Sequence, residues 1–137
     1  MSKSLKASPN RSEKTEKKIL RLKRYCTDKK ELERFMAQYG RLRNTCAETE
    51  QSGIADSTLK RQMKLEKERI QKKMKRILKE TRRIDMAIEE ITDSRQALVM
   101  RYRYIDGYSW EQITEEMCYS SRTVFYLHHE AVKVLAI

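Results

Sequence analysis

Isoleucine or methionine recurs every seven residues from Met63 through Ile70, Ile77 and Ile84 to Ile91, and Met74, Thr81 and Ile88 fill the second position of the same seam. A seven-residue repeat keeps one apolar stripe in register along a helix, and that stripe needs another helix against it. The partner is either the preceding segment folded back antiparallel or a second copy of the chain, which would make a homodimer through the coiled coil. Three Gly and one Pro in 137 residues leave little material for the turns of a sandwich, barrel or doubly wound sheet. The fold class is therefore all-α, with a long N-terminal helical hairpin.

Residues 1–12 combine Ser, Lys, Asn and the single Pro and predict a disordered basic arm. From Glu13 to about Thr45 the positions Leu22, Tyr25, Leu32, Phe35, Met36, Tyr39 and Leu42 follow a heptad stripe, interrupted by Lys29 and Lys30. Cys46 to Asp56 loses the period and contains Gly53, so it reads as the turn of the hairpin, with Asp56 or Ser57 as the next N-cap. The hairpin is expected to span residues 13–92.

Charge is uneven along the chain. The whole carries 31 Lys and Arg against 20 Asp and Glu, a formal +11. Residues 1–92 hold 26 basic and 14 acidic side chains, net +12, while residues 93–137 hold 5 and 6, net −1. Between Lys60 and Arg83 there are 12 basic and 3 acidic residues, too lopsided for mutual pairing. That surface attracts polyanions, and Lys72, Lys73, Lys75, Arg76, Lys79, Arg82 and Arg83 are its weak phosphate-contact candidates.

Beyond Asp93 the pattern breaks into three short helical blocks, residues 93–137. Ser94 to Ile105 opens with Asp93 and Gln96 in capping-box spacing and aligns Leu98, Tyr102 and Ile105; Asp106-Gly107 closes it. Ser109 and Gln112 form a second capping box for a helix through Met117, with Trp110, Ile113 and Met117 on one side. Cys118-Tyr119-Ser120 is the turn, and Ser121 to Leu135 aligns Val124, Leu127, Ala131 and Leu135, capped by Ser120 or Ser121.

Two short helices joined by a three-residue turn, with a third closing a small core, describe a helix-turn-helix. The last helix then presents a second face to double-stranded DNA, and Ser120, Ser121, Arg122, Thr123, Phe125, Tyr126 and His129 are the DNA-contact candidates. Arg122 suits a bidentate pair with a guanine edge, Ser121 and the first amides suit a phosphate, and Phe125 or Tyr126 suits a thymine methyl.

Residues 109–135, SWEQITEEMCYSSRTVFYLHHEAVKVL, resemble the helix-turn-helix of region 4 in bacterial primary sigma factors. The chain resembles small phage and prophage late-transcription regulators of the ArpU and RinA type. Arg101, Arg103, Tyr104, Ile105, Gly107, Ser109, Trp110, Ile113, Tyr119, Ser120, Arg122, Thr123 and Val124 carry the match. The departures are Thr114, where such motifs place Ala, Cys118, where they place Gly, and Tyr126, where the phage family tends to carry Arg. The resemblance implies a DNA-binding transcription regulator. It also admits a protein adaptor docking on RNA polymerase in the manner of a sigma region, and a DNA-packaging recognition subunit of small-terminase kind combines the same parts.

Enzymatic chemistry is not expected. The sequence has no Gly-rich phosphate loop, no metal-ligand spacing and no nucleophile beside a base, and no cofactor or metal is anticipated. Cys26, Cys46 and Cys118 include no C-x-x-C pair, and His128 and His129 are neighbours that project apart. No apolar run suits a signal peptide or a membrane span, and unpaired cysteines fit a reducing cytoplasm; the phage resemblance implies that of a bacterial host.

Overall fold

The computed structural model describes residues 12–53 and 56–137; of the expected basic arm over residues 1–12, only Ser12 falls among them. These residues are all-helical, without a strand. They form α1 (Glu13–Ser52), α2 (Ser57–Glu89), α3 (Ser94–Met100) continuing into a π-helical turn (Arg101–Ile105), α4 (Trp110–Met117) and α5 (Ser121–Val134). The described residues divide into two bodies, 12–26 with 82–137, and the described part of 27–81.

Helix α1 starts at Ser12, whose hydroxyl accepts from the Thr15 amide at 3.1 Å. It runs on through the stretch where a turn is expected from Cys46. Thr45, Thr49 and Ser52 return their hydroxyls to the carbonyls of Arg41, Thr45 and Thr49, so these residues keep helical geometry without apolar periodicity. Gly53, at φ 71°, ends it. Asp56 caps α2 by accepting from the Leu59 amide at 2.7 Å.

In the body of residues 27–81, the hairpin joins Tyr39 to Gln71 by a 2.8 Å hydrogen bond and seats Lys73 over the Phe35 ring. Ile70 is the fully buried apolar side chain there; Met63, Met74 and Ile77 of the same seam are half-buried.

The other body is better filled. Leu22 and Tyr25 of α1, Ile84, Ala87 and Ile88 of α2, Met100 and Tyr104, and Ala131, Val132 and Leu135 make one buried cluster. Val99, Ile113, Val124 and Leu127 make a second, flanked by Tyr102, Tyr108, Trp110, Met117 and Tyr119. The boundary drawn from sequence at residues 92 and 93 therefore does not coincide with the packing: the last half of α5 buries its apolar side chains with the ends of α1 and α2.

The face expected for residues 94–105 is corrected as well. Ala97, Val99, Met100 and Tyr104 are the buried positions, Leu98 and Tyr102 are half-buried, and Ile105 is exposed. Ala97, Met100 and Tyr104 keep helical spacing, so the buried face is displaced from the expected one by one position; a wide π turn, closed by the Asp106 amide on the Arg101 carbonyl at 2.9 Å, ends the segment. The Tyr104 hydroxyl meets His128 Nε2 at 2.7 Å.

Burial pushes the Tyr104 phenol up to about 12. Burial and a hydrogen bond to Asp85 push Tyr25 further in the same direction. Both folded-state values lie above the unfolded one, so this stabilisation is complete below the ordinary phenol value of about 10 and is lost as pH rises through about 12. Alkaline titration is expected to unfold this body over that window. Phenolate absorbance from Tyr25 and Tyr104 should appear only together with loss of helical circular dichroism; ionisation of both with the helix signal intact would show the burial argument to be wrong.

Candidate functional site

Helix α4 begins with a complete capping box. The Gln112 amide donates to Ser109 Oγ at 3.1 Å, and the Ser109 amide donates to Gln112 Oε1 at 2.8 Å. Its other end is a Schellman closure: Tyr119 N–H reaches the Thr114 carbonyl at 3.2 Å and Cys118 N–H the Glu115 carbonyl at 3.3 Å. This geometry demands a left-handed residue, and Cys118 takes φ 57°, ψ 37°. A side chain there costs about 1 kcal/mol relative to glycine. Because Cys118 is exposed, Cys118→Gly is expected to raise stability by about that amount in thermal or urea melts; a destabilised variant would mean the thiol contributes more than its backbone costs. Thr114, the other departure near the turn, disposes of its hydroxyl on the Glu111 carbonyl at 2.7 Å.

The turn delivers the chain into α5. Ser120 is the cap: its hydroxyl accepts from the Thr123 amide at 3.2 Å and lies 3.0 Å from the Thr123 hydroxyl. Two of the candidate contact residues thus already satisfy each other. Ser121 and Arg122, in the first turn of α5, are exposed, and among the described residues Arg122 has no ion pair. Tyr126 is 62% exposed.

Phe125 and His129 are placed differently from a free outward face. The Phe125 ring meets Trp110 edge-on at 5.1 Å, although 49% of the residue stays exposed. Both line a cleft of about 530 Å³ with Ile19, Lys23 and Cys26 from α1. Lys23 is a cation beside the candidate face that sequence reasoning missed. Roughly a hundred residues separate it from α5, and nothing local in its helix distinguishes it from neighbouring lysines.

Three further side chains join separate elements of this body. Arg103 lies over the Trp110 ring at 4.4 Å and donates to the Tyr108 carbonyl at 3.1 Å, so it braces the segment between the π turn and α4. His128 packs edge-on against Trp110 at 5.0 Å while bonding Tyr104. Lys18, nearly buried, donates its ammonium to the Val132 and Lys133 carbonyls at 3.2 and 3.1 Å. It sits where the carbonyl end of α5 favours a cation, and burial, with Lys14 nearby, lowers its pKa.

The body that holds α5 therefore carries basic residues from α1. Residues 12–26 and 82–137 together hold 13 basic and 11 acidic side chains, net +2, against −1 for residues 93–137 alone. Of the weak phosphate-contact candidates, Arg82 and Arg83 belong to this body and are exposed. Lys72, Lys73, Lys75, Arg76 and Lys79 belong to the hairpin body, where Lys73 is engaged with Phe35 and the other four are exposed. Among the described residues no three His, Cys, Asp or Glu side chains are placed to hold a metal ion, and no helix is long and apolar enough to cross a membrane.

The described residues are thus all-helical, with two short helices joined by a three-residue turn, the second of which buries its last apolar side chains with the ends of two long helices. Residues 55–136 match the model of a family described as a protein of unknown function, DUF1492, and the chain belongs to that family. No curated protein and no solved structure matches it.

Proposed function

We propose that this protein is a sequence-specific DNA-binding regulator of transcription of phage or prophage type, with α4 and α5 as its helix-turn-helix and α5 as the helix that enters the major groove. The observation that carries this reading is the exposed first turn of α5, where Ser121 and Arg122 follow a tight left-handed turn and, among the described residues, Arg122 has no ion pair. Arg122 supplies the base-edge contact, and Ser121 with the free amides of the first turn supplies a phosphate contact. Tyr126 extends the face, and Lys23 and His129 add cationic or polar character at its edge. The resemblance to sigma factor region 4 and to the ArpU and RinA regulators supports the same reading.

A second reading, docking on RNA polymerase as a protein adaptor, is favoured by the two exposed aromatics beside Arg122, since Phe125 and Tyr126 suit a protein surface as well as a groove. Gel-shift titration near physiological salt, about 0.15 M, separates the two. The regulator is expected to prefer DNA from upstream of its own gene over random DNA of equal length. Equal affinity for both, together with recovery of polymerase in pull-downs after nuclease treatment, would replace the regulator reading with the adaptor.

A further inference from the structure

In the body of residues 27–81, α1 and α2 leave an apolar groove of about 610 Å³ with Leu32, Met36, Met74 and Leu78 in it. Leu32 and Met74 are half-buried, but Met36 is 55% and Leu78 41% exposed, and among the described residues of 27–81 Ile70 is the one fully buried apolar side chain. Exposed Leu and Met side chains gathered in one groove mark a surface that is covered in use, and flexible Met is suited to accepting another helix. Lys72 and Lys75 stand at the groove against one carboxylate, Glu68. Among the described residues neither lysine makes an ion pair.

We propose that this groove docks an acidic amphipathic helix of a partner protein, its apolar stripe on Leu32, Met36, Met74 and Leu78 and its carboxylates on Lys72 and Lys75. Charge selects this occupant over the others. Residues 57–81 hold 10 basic and 3 acidic side chains, net +7, and residues 27–52 hold five of each. The hairpin of a second copy therefore offers the groove either a like-charged helix or a neutral one, neither of which complements the lysines, and the acidic helix α4 already buries Ile113 within its own body. A DNA backbone satisfies the lysines but has nothing to cover the Leu and Met side chains. An acidic helix with apolar residues at spacings of three and four satisfies both halves of the surface. This inference does not depend on the DNA-reading role of α5.

The test uses the full chain and three labelled synthetic helical peptides: one with a Leu stripe and Glu elsewhere, one with the same stripe and Lys elsewhere, and one with Glu throughout and Ser in place of the stripe. Fluorescence anisotropy should give saturable, salt-weakened binding of the first peptide only. Met36→Glu and Leu78→Glu should each weaken it by at least about tenfold. Both positions are solvent-exposed, so circular dichroism and the melting temperature should hold. Lys72→Glu with Lys75→Glu should remove the preference for the acidic peptide over the basic one. The proposal is overturned if the stripe-free acidic peptide binds as tightly as the first, or if duplex DNA displaces the first peptide from the hairpin lysines, because either makes the surface a simple polyanion site. It is also overturned if no peptide binds while sedimentation shows a dimer that Met36→Glu dissociates.

Discussion

Ile88→Ala is expected to lower the stability of the body formed by residues 12–26 and 82–137 by about 3 kcal/mol, whereas Met86→Ala on the same helix should change it by less than about 0.5 kcal/mol. Ile88 is fully buried in the cluster that joins Leu22, Tyr25, Met100, Ala131 and Leu135, so deleting its side chain removes apolar contacts from four helices and leaves a cavity. Met86, two residues earlier, is 60% exposed and loses little. Urea melts followed by the fluorescence of Trp110, the single tryptophan, read this body directly. Similar losses for both variants would mean that the end of α2 does not form the floor under α5.

Arg122→Ala should cost about 1–3 kcal/mol of binding to the preferred DNA sequence and relax preference at one base pair, because a bidentate base contact is lost while the fold is untouched. The contrasting variant is Lys23→Ala, which stands beside His129 across the cleft. It should weaken binding to all sequences alike and reduce the salt slope by about one phosphate contact. Quantitative binding to a randomised site library, read at two salt concentrations, separates the two effects. Unchanged base preference in Arg122→Ala would sink the assignment of α5 as the reading helix.

Local chemistry was legible without coordinates wherever neighbours in sequence are neighbours in space. The Ser109 and Gln112 capping box, the Ser120 cap, the left-handed Cys118 and the Gly107 stop all follow from residue types within a few positions of one another. The burial of Val124, Leu127, Ala131 and Leu135 likewise follows from helical spacing. The end of α1 was missed because Thr45, Thr49 and Ser52 read as turn formers, yet their hydroxyls fold back onto the helix carbonyls. The inward face of residues 97–104 was missed because Ala97, Met100 and Tyr104 repeat at the same three- and four-residue spacing as the expected Leu98, Tyr102 and Ile105, one position along, and only the packing decides between two such faces.

Sequence alone determined that the chain is helical and where its short C-terminal helices begin and end, since caps and periodicity act over three to seven residues. Only the tertiary structure decided what those helices rest on. Lys18 on the last carbonyls of α5, Lys23 at the cleft with His129, and Tyr25 against Asp85 each join residues some sixty to more than a hundred positions apart. No local signal encodes such pairs: they exist because burying the apolar ends of α1 and α2 together with α5 removes more surface from water than either part can alone.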